Sequence, residues 1–555
     1  MLGTKKTTQK SVLGGIGVAL LLCLLMALMP MSGFVTNNVG EIDFVDATEE
    51  SEDFFKLPDT IEDTDYEYDQ ALELKGMRDQ MTKAYVTEDG NIAQLIANEP
   101  INYLQDDGVW DEIDLNVVAT ANGWEVTKNT FTAEFAAEVA GGVRVQTSQF
   151  VDPIITGINP TVVTIDESGE APMPLMVEPS NEAPTVGGNV IRYPVAQGFD
   201  LDYTVESSQL KQNLVIRERP VLQPNAAWLG FSEAVQLPAG YSLYIGDTLV
   251  DEAITQTQEE LQVRNTETGE LLVSFPVPMV IEENAEEPYV ATYFVQAYGS
   301  LIVLTTAVDT DWLLSEDRVF PLAIDPTIKV TSNTGGYCYV YYAYCYGSSY
   351  RYLYRYYSTI YYLPWNKYTF TSNHALPSGA TIDSIKWKQY ISYGYGSSST
   401  SSLTATVMEQ CGTDPKWNHA VSTASCSGAF SSTLGVNYGG TQAQKMQSSI
   451  WNSASYDTYS QGTGWKTAEI CTSATTCSSS TAAGYITSAQ TNSGTVGLGA
   501  RMMSNVYAYT YAYTGGSSNS YIEIVYSGGT DADAPTADFA PYSGITSYHE
   551  GPRTF

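Results

Sequence analysis

The chain has 555 residues, with 63 Asp+Glu against 26 Lys+Arg, a formal net charge of −37, and 40 tyrosines beside 45 glycines. That length corresponds to about three or four domains, enough to bury more than one core. Residues 1–330 carry 53 acids against 16 bases, and such a surface repels phosphate, which argues against a nucleic-acid partner. The acidity reads as a solvated surface, with Ca2+ as the candidate ligand and no other cofactor implied.

Lys5, Lys6 and Lys10 precede an apolar run, Ser11 to Met29. Positive charge ahead of a hydrophobic stretch is an export signal, so residues 1–33 read as a signal peptide or a retained signal anchor. The run is near bilayer-spanning length, and Met31-Ser32-Gly33 is not a tidy cleavage site, so both readings stand. Membrane contact is expected only through this segment. Residues 34–70 read as a disordered acidic spacer, since 41–70 hold thirteen acids and one base and too little apolar surface to fold alone.

From about 71 to 327 short strands follow one another. Met81–Val86, Ile92–Ala97, Ile101–Leu104, Val190–Tyr193, Leu201–Val205, Leu214–Ile216, Tyr289–Val295 and Ser300–Ala307 carry the β-branched, aromatic and alternating apolar residues of strands. Gly, Pro, Asn and Asp turns separate them. Trp110 and Ile113 are expected in the core. In DTDWLLSEDRVFPLAIDPT, residues 309–327, the spacing predicts a short strand over Val319–Ile324, ended by Asp325-Pro326. The whole region predicts a β-sandwich.

Three of these stretches carry a resemblance. Trp312-Leu313 through Arg318-Val319-Phe320-Pro321 to Ile324-Asp325-Pro326-Thr327, VIRYPVAQGFDLDYTVESSQLKQNLVIRERP at 190–220, and YLQDDGVWDEID at 103–114 are similar to the N-terminal β region of bacterial wall-associated and YD-repeat (Rhs-type) exported proteins. The resemblance spans roughly residues 75 to 327. It implies a β fold and display outside the cell.

After 327 the chemistry changes. Residues 331–527 hold six acids against nine bases, and Tyr337–Tyr368 contains fourteen tyrosines. Tyr350, Tyr352, Tyr354 and Tyr356 alternate with Arg351, Leu353 and Arg355, which puts the tyrosines on one strand face. Such a row either contacts sugar rings or fills a sheet face with cross-strand pairs. Cys338, Cys345, Cys411, Cys426, Cys471 and Cys477 form three close pairs. Downstream of an export signal they read as disulfide candidates, with sequence neighbours as one of several pairings. Zinc is the competitor, although no CxxC spacing occurs.

Lys367–Tyr390, with its Leu376-Pro377-Ser378-Gly379-Ala380 turn, and the strands at 465–470, 495–500 and 521–526 resemble the DNRLRE module, a jelly-roll-like sandwich beside wall-associated regions. The signature after which that module is named is absent here. Residues 328–527 are thus expected to be a Tyr-rich β-sandwich with disulfides. Residues 528–555 read as a linker and the start of a further, immunoglobulin-like module, so the chain is expected to be the N-terminal part of a larger protein.

The sequence holds no GxSxG, HExxH or Walker loop. His374 and His419 read as surface histidines. Paired carboxylates for glycoside hydrolysis cannot be singled out among so many acids. The reading is a mostly β, exported, cell-surface structural or adhesion protein without a catalytic residue assigned. Its expected partners are surface polysaccharide or other surface proteins. The alternatives are a carbohydrate-binding module protein and a secreted glycosidase or peptidase.

Overall fold

The structure is a computed structural model. It describes residues 68–529 apart from 70–71, 149–151, 170–171, 181, 283–288, 331–334, 340–343, 348–350, 357–358, 397–400, 410–444, 447–452, 457–463, 494, 504–509 and 515–519. In the strands within 335–365, 390–409, 445–466 and 499–514 it describes the backbone. The apolar run 11–29, the acidic spacer and the segment beyond 529 lie outside the described residues, as do Cys411, Cys426, His419 and Tyr350.

The described chain is mostly β. Its strands form antiparallel sheets of ten, twelve and fourteen strands, plus a two-stranded ribbon, and none closes into a barrel. The first two large sheets face each other as a sandwich. One cluster between them joins Phe135, Val143 and Phe231 of the ten-stranded sheet to Ile191, Leu201 and Leu214 of the twelve-stranded one. A second cluster joins Ile154, Val235 and Leu304 to Leu243, Val263 and Phe275. Period-2 alternation explains the inward set: Leu229, Phe231 and Val235 lie on one face of the strand Trp228–Gln236.

The stretch at 309–327 divides differently from its sequence reading. Asp309 caps a helical turn, Thr310–Leu313, by accepting from the backbone N–H of Asp311 and Trp312. The strand is shorter, Leu322–Asp325, and starts after Pro321, which has no N–H to give a ladder. Trp312 stacks on Tyr289 with ring centroids 4.2 Å apart, and the Arg318 guanidinium sits 4.5 Å from its ring centroid. Trp110 and Ile113 are only half-buried. Trp110 belongs to the ribbon Asn102–Leu104/Trp110–Glu112, whose two strands pair with each other and with no larger sheet.

The sheet boundary does not fall at 327. The strands Thr82–Val86 and Ile92–Ala97 form a hairpin, and the second of them pairs antiparallel with Ser520–Ser527. Ile92 faces Tyr526, and Ala97 faces Tyr521. Ser520–Ser527 pairs on its other side with Thr381–Gly396. The Tyr-rich sheet is therefore begun by residues 82–97 and finished by residues 335–527, with the sandwich inserted between.

Both faces of this junction are covered. On one face Tyr85, Leu95, Ala97, Ile101 and Tyr521 form an apolar cluster. On the other, Gln94 Oε1 accepts from Gln490 Nε2 at 3.1 Å, and Gln490 lies on the helix Thr481–Thr491. The fully buried Glu523 is held by Lys386 Nζ at 3.0 Å and Lys388 Nζ at 3.4 Å. Removing one partner of a buried pair strands the other charge in a low-dielectric site. Glu523→Ala is expected to cost about 3–5 kcal/mol, read as a lowered urea midpoint. The double change Glu523→Met/Lys388→Met is expected to recover most of the loss. Equal stability of Glu523→Ala and the native chain would contradict the assignment.

Candidate functional site

Among the described residues, acidic side chains gather at two grooves on the sandwich. The larger, about 800 Å3, is lined by Asp166, Glu167, Asn225, Asp309 and Asp311. Two of its carboxylates are already engaged. Asp309 is the helix cap. Asp166 accepts from the Ser168 N–H at 2.9 Å and its hydroxyl at 2.5 Å, and these bonds hold its pKa below the ordinary value. A general acid for glycoside hydrolysis needs the opposite shift.

The smaller groove, about 540 Å3, is lined by Glu178, Glu182, Asp200, Arg217 and Glu218. Asp200 and Asp202 sit on one face of the strand Phe199–Val205. Arg192 grips Asp202 with two N–H donors, both at 2.7 Å, and Arg217 Nε donates to Asp200 at 2.6 Å. Burial raises both carboxyls, and the arginines pull them back only in part. This chain of alternating charges links neighbouring strands; in it the carboxylates are held by guanidinium groups rather than presented to a substrate.

One carboxyl is sealed inside the sandwich. Glu233 shares the inner face of its strand with Phe231 and Val235, between the two apolar clusters. Its partners are neutral: Thr156 Oγ1 donates at 3.1 Å, Gln212 Nε2 donates at 2.5 Å, and the Gly157 N–H contributes a third bond. Burial pushes Glu233 from 4.5 up to about 7. The Tyr203 hydroxyl beside this belt and Gln212 Oε1 have no hydrogen-bond partner. Gly157 keeps the belt tight, since a Cβ there would lie 2.1 Å from the Tyr203 hydroxyl, and its φ is +65°.

His374 is buried, not at the surface as its polar surroundings in sequence imply, because the N-terminal hairpin covers it. Its Nδ1 accepts from the Thr371 N–H at 2.8 Å. Its Nε2 meets both Asp79 Oδ2 at 2.8 Å and Thr82 Oγ1 at 2.5 Å. A nucleophile–base–acid relay needs the hydroxyl and the carboxylate on opposite ring nitrogens, whereas here both are on one. Burial raises Asp79, but the His374 contacts and the Met81 N–H outweigh it and hold the carboxylate below its ordinary value.

Of the cysteine candidates, Cys471 and Cys477 form a disulfide, with Cα atoms 5.0 Å apart. It ties the end of the strand Gly464–Cys471 to the helix Ala474–Ser479, whose Ser473/Thr476 capping box went unread in the sequence. Cys338 and Cys345 are direct register partners on Gly335–Tyr339 and Tyr344–Gly347. Tyr352, Tyr354 and Tyr356 fall on the strand Arg351–Tyr356, which pairs with Thr510–Thr514 and Thr359–Thr369. The side chains of these tyrosines lie outside the described residues. Among the described residues no group of three or more His, Cys, Asp or Glu converges as a metal site, and no helix is long and apolar enough to cross a membrane. Asp531 and Asp533 are not among them.

The chain matches no protein-family model, no curated protein and no solved structure.

The Glu233 belt fixes the sign of a pH effect. Between 4.5 and about 7 the folded form holds a proton that the unfolded chain has released, so this group's contribution to stability falls as pH rises through that window. Glu233→Gln keeps the shape, and a turned Gln212 amide gives the new N–H an acceptor. Above pH 7 the variant is expected to be more stable by about 3 kcal/mol, at 1.36 kcal/mol per pKa unit, with no gain at pH 4. Urea midpoints across pH 4–8 check this; a gain that does not depend on pH would refute it.

Proposed function

We propose that this is an exported, cell-surface protein whose β modules act as structural or adhesive parts. The observation that carries the reading is the Cys471–Cys477 disulfide, because such bonds persist in oxidising compartments and are rare in reducing ones. Three features support it: the lysine-led apolar run at 11–29, the acidic spacer after it, and the similarity of residues 75–327 to wall-associated and Rhs-type regions and of 367–526 to DNRLRE modules. The engagement of Asp166, Asp309, Asp200, Asp202 and His374 in caps, ion pairs and buried bonds fits a structural role.

Glycan binding is the second reading, and one observation favours it. The register aligns Tyr395, Tyr511, Tyr354, Tyr362, Tyr339 and Tyr344 in one row across six strands. Adjacent strands lie about 4.8 Å apart, so the row crosses roughly 24 Å of sheet. Aromatic rings at that pitch suit successive sugar rings, with phenol hydroxyls for hydrogen bonds.

Protease treatment of intact host cells tests the first reading. A tag inserted in the exposed turn at Glu267 is expected to be lost from intact cells, and Cys471 and Cys477 are expected to resist thiol labelling until reduced. Full protection, released only with the cytosol, would sink it. Retention on insoluble polysaccharide that weakens at least tenfold in Tyr354→Ala/Tyr511→Ala would choose the second reading.

A further inference from the structure

We infer that the hairpin Thr82–Ala97 is a tension-bearing clamp, which carries a pull between the two ends of the fold past the sandwich inserted between them. The inference goes beyond the proposed function and does not rest on it. It assigns a mechanical function to the junction of residues 82–97 with 520–527.

Thr82 faces Ile96, and Ile96 faces Ile522, while Val86 faces Ile92, and Ile92 faces Tyr526. Thr82–Val86 therefore runs the same way as Ser520–Ser527, with Ile92–Ala97 antiparallel between them. The chain enters this patch at its Ile522 end and leaves at its Tyr526 end. A pull on the two ends drags the hairpin and the last strand in opposite senses along their axes. Antiparallel ladder bonds lie perpendicular to the strands, so such sliding loads them together rather than one after another.

The surroundings oppose sliding. Leu95 faces Glu523, which faces Lys386 and pairs with it at 3.0 Å. At the Ala97 end, Asn98 N–H donates to Ser520 O at 3.3 Å, and Asn98 Nδ2 donates to Asn366 Oδ1 at 3.3 Å. Ser520 Oγ also meets Asn366 Nδ2 at 3.3 Å and the Tyr368 hydroxyl at 2.5 Å. The apolar cluster of Tyr85, Leu95 and Tyr521 covers one face, and Gln490 reaches both Gln94 and the His374 carbonyl on the other. The lead-in is held differently. Glu73 bridges Tyr85 and Asp79 bridges Thr82 as isolated pairs, so residues 73–81 lie back along the first strand and peel from one end.

The consequence is a hidden length. The sandwich strands all fall between Ala97 and Ser520 in sequence. While the clamp holds, that stretch of roughly 420 residues carries no tension. At 3.3–3.6 Å per residue it amounts to about 140–150 nm of contour.

Single-molecule force spectroscopy on the full chain decides the matter. Tethered through its first and last residues, the molecule is expected to give its highest-force rupture first among the major events, with the 140–150 nm released only afterwards. The same molecule tethered through its first residue and a handle at Glu267, in the exposed turn after Leu261–Asn265, routes tension through the sandwich and is expected to rupture at clearly lower force. Sandwich length appearing before the highest-force event, or equal forces in the two geometries, would overturn the inference. Ala93→Cys/Val525→Cys checks the register independently, since the two residues face each other. The new disulfide is expected to form under mild oxidation and to keep the 140–150 nm hidden; its failure to form in folded protein would overturn the register and the clamp with it.

Discussion

The pairing of Ile92–Ala97 with Tyr521–Tyr526 is the constraint on which the rest of the architecture depends. It makes the Tyr-rich sheet a discontinuous unit, begun before the sandwich and completed after it. Ser520–Ser527 is flanked on both sides, by Ile92–Ala97 and by Thr381–Gly396. Without the hairpin it would become an edge with unpaired backbone groups and exposed Ile522 and Ile524, the kind of edge that invites association between chains. The same pairing buries His374 and gives Asp79 and Thr82 their shared partner.

Two buried carboxylates show different solutions to one problem. Taking a charge out of water costs several kcal/mol unless it is compensated. Glu523 is compensated by two lysines. Glu233 is given only neutral donors, and its pKa climbs towards neutrality instead. The first arrangement binds three strand positions into one register. The second leaves a polar belt between two apolar clusters, where slipping any one of these strands by one residue would move its own member, Glu233, Gln212 or Tyr203, to the outer face and bring an outward residue in. Both placements specify which strand faces which, more than they add stability.

Much of the fold was legible in local pattern. Ile92–Ala97 was bounded correctly by its apolar run. Val190–Ala196 starts and Phe199–Val205 ends where the sequence places them, each running further at the other end, and Leu301–Asp309 is shifted slightly at both ends. Period-2 alternation and turn chemistry act over a few residues, so a single sequence carries them. Choice of partner does not act locally. Nothing in residues 82–97 says that their neighbour lies more than 400 positions away, and the burial of His374 follows from that neighbour. The half-burial of Trp110 has a related cause, since its ribbon pairs with no large sheet. The helix Thr481–Thr491 was missed because its sequence, TAAGYITSAQT, has no clear apolar stripe; a serine cap and packing against Gln94 place it. The tyrosine alternation was visible, whereas the row across six strands needed the register.

Loop closure gives this topology an order of assembly. Joining two segments about 420 residues apart costs roughly 5 kcal/mol of chain entropy beyond a constant, from (3/2)RT ln n. A folded sandwich changes that sum, because its own contacts already bring Val117 and Val330 into one cluster. What remains is to close the short path from Val117 back to the hairpin and the longer one from Val330 onward through the Tyr-rich strands to Ser520. The sandwich can be built from strands near in sequence, such as Val190–Ala196 with Phe199–Val205 and Gln209–Ile216, and near contacts form first. By the same rule the junction of Ile92–Ala97 with Ser520–Ser527, far more distant in sequence, is expected to form after them. The contact that closes the chain is thus the one whose formation depends most on everything folded before it, and the one through which a pull on the finished molecule must pass.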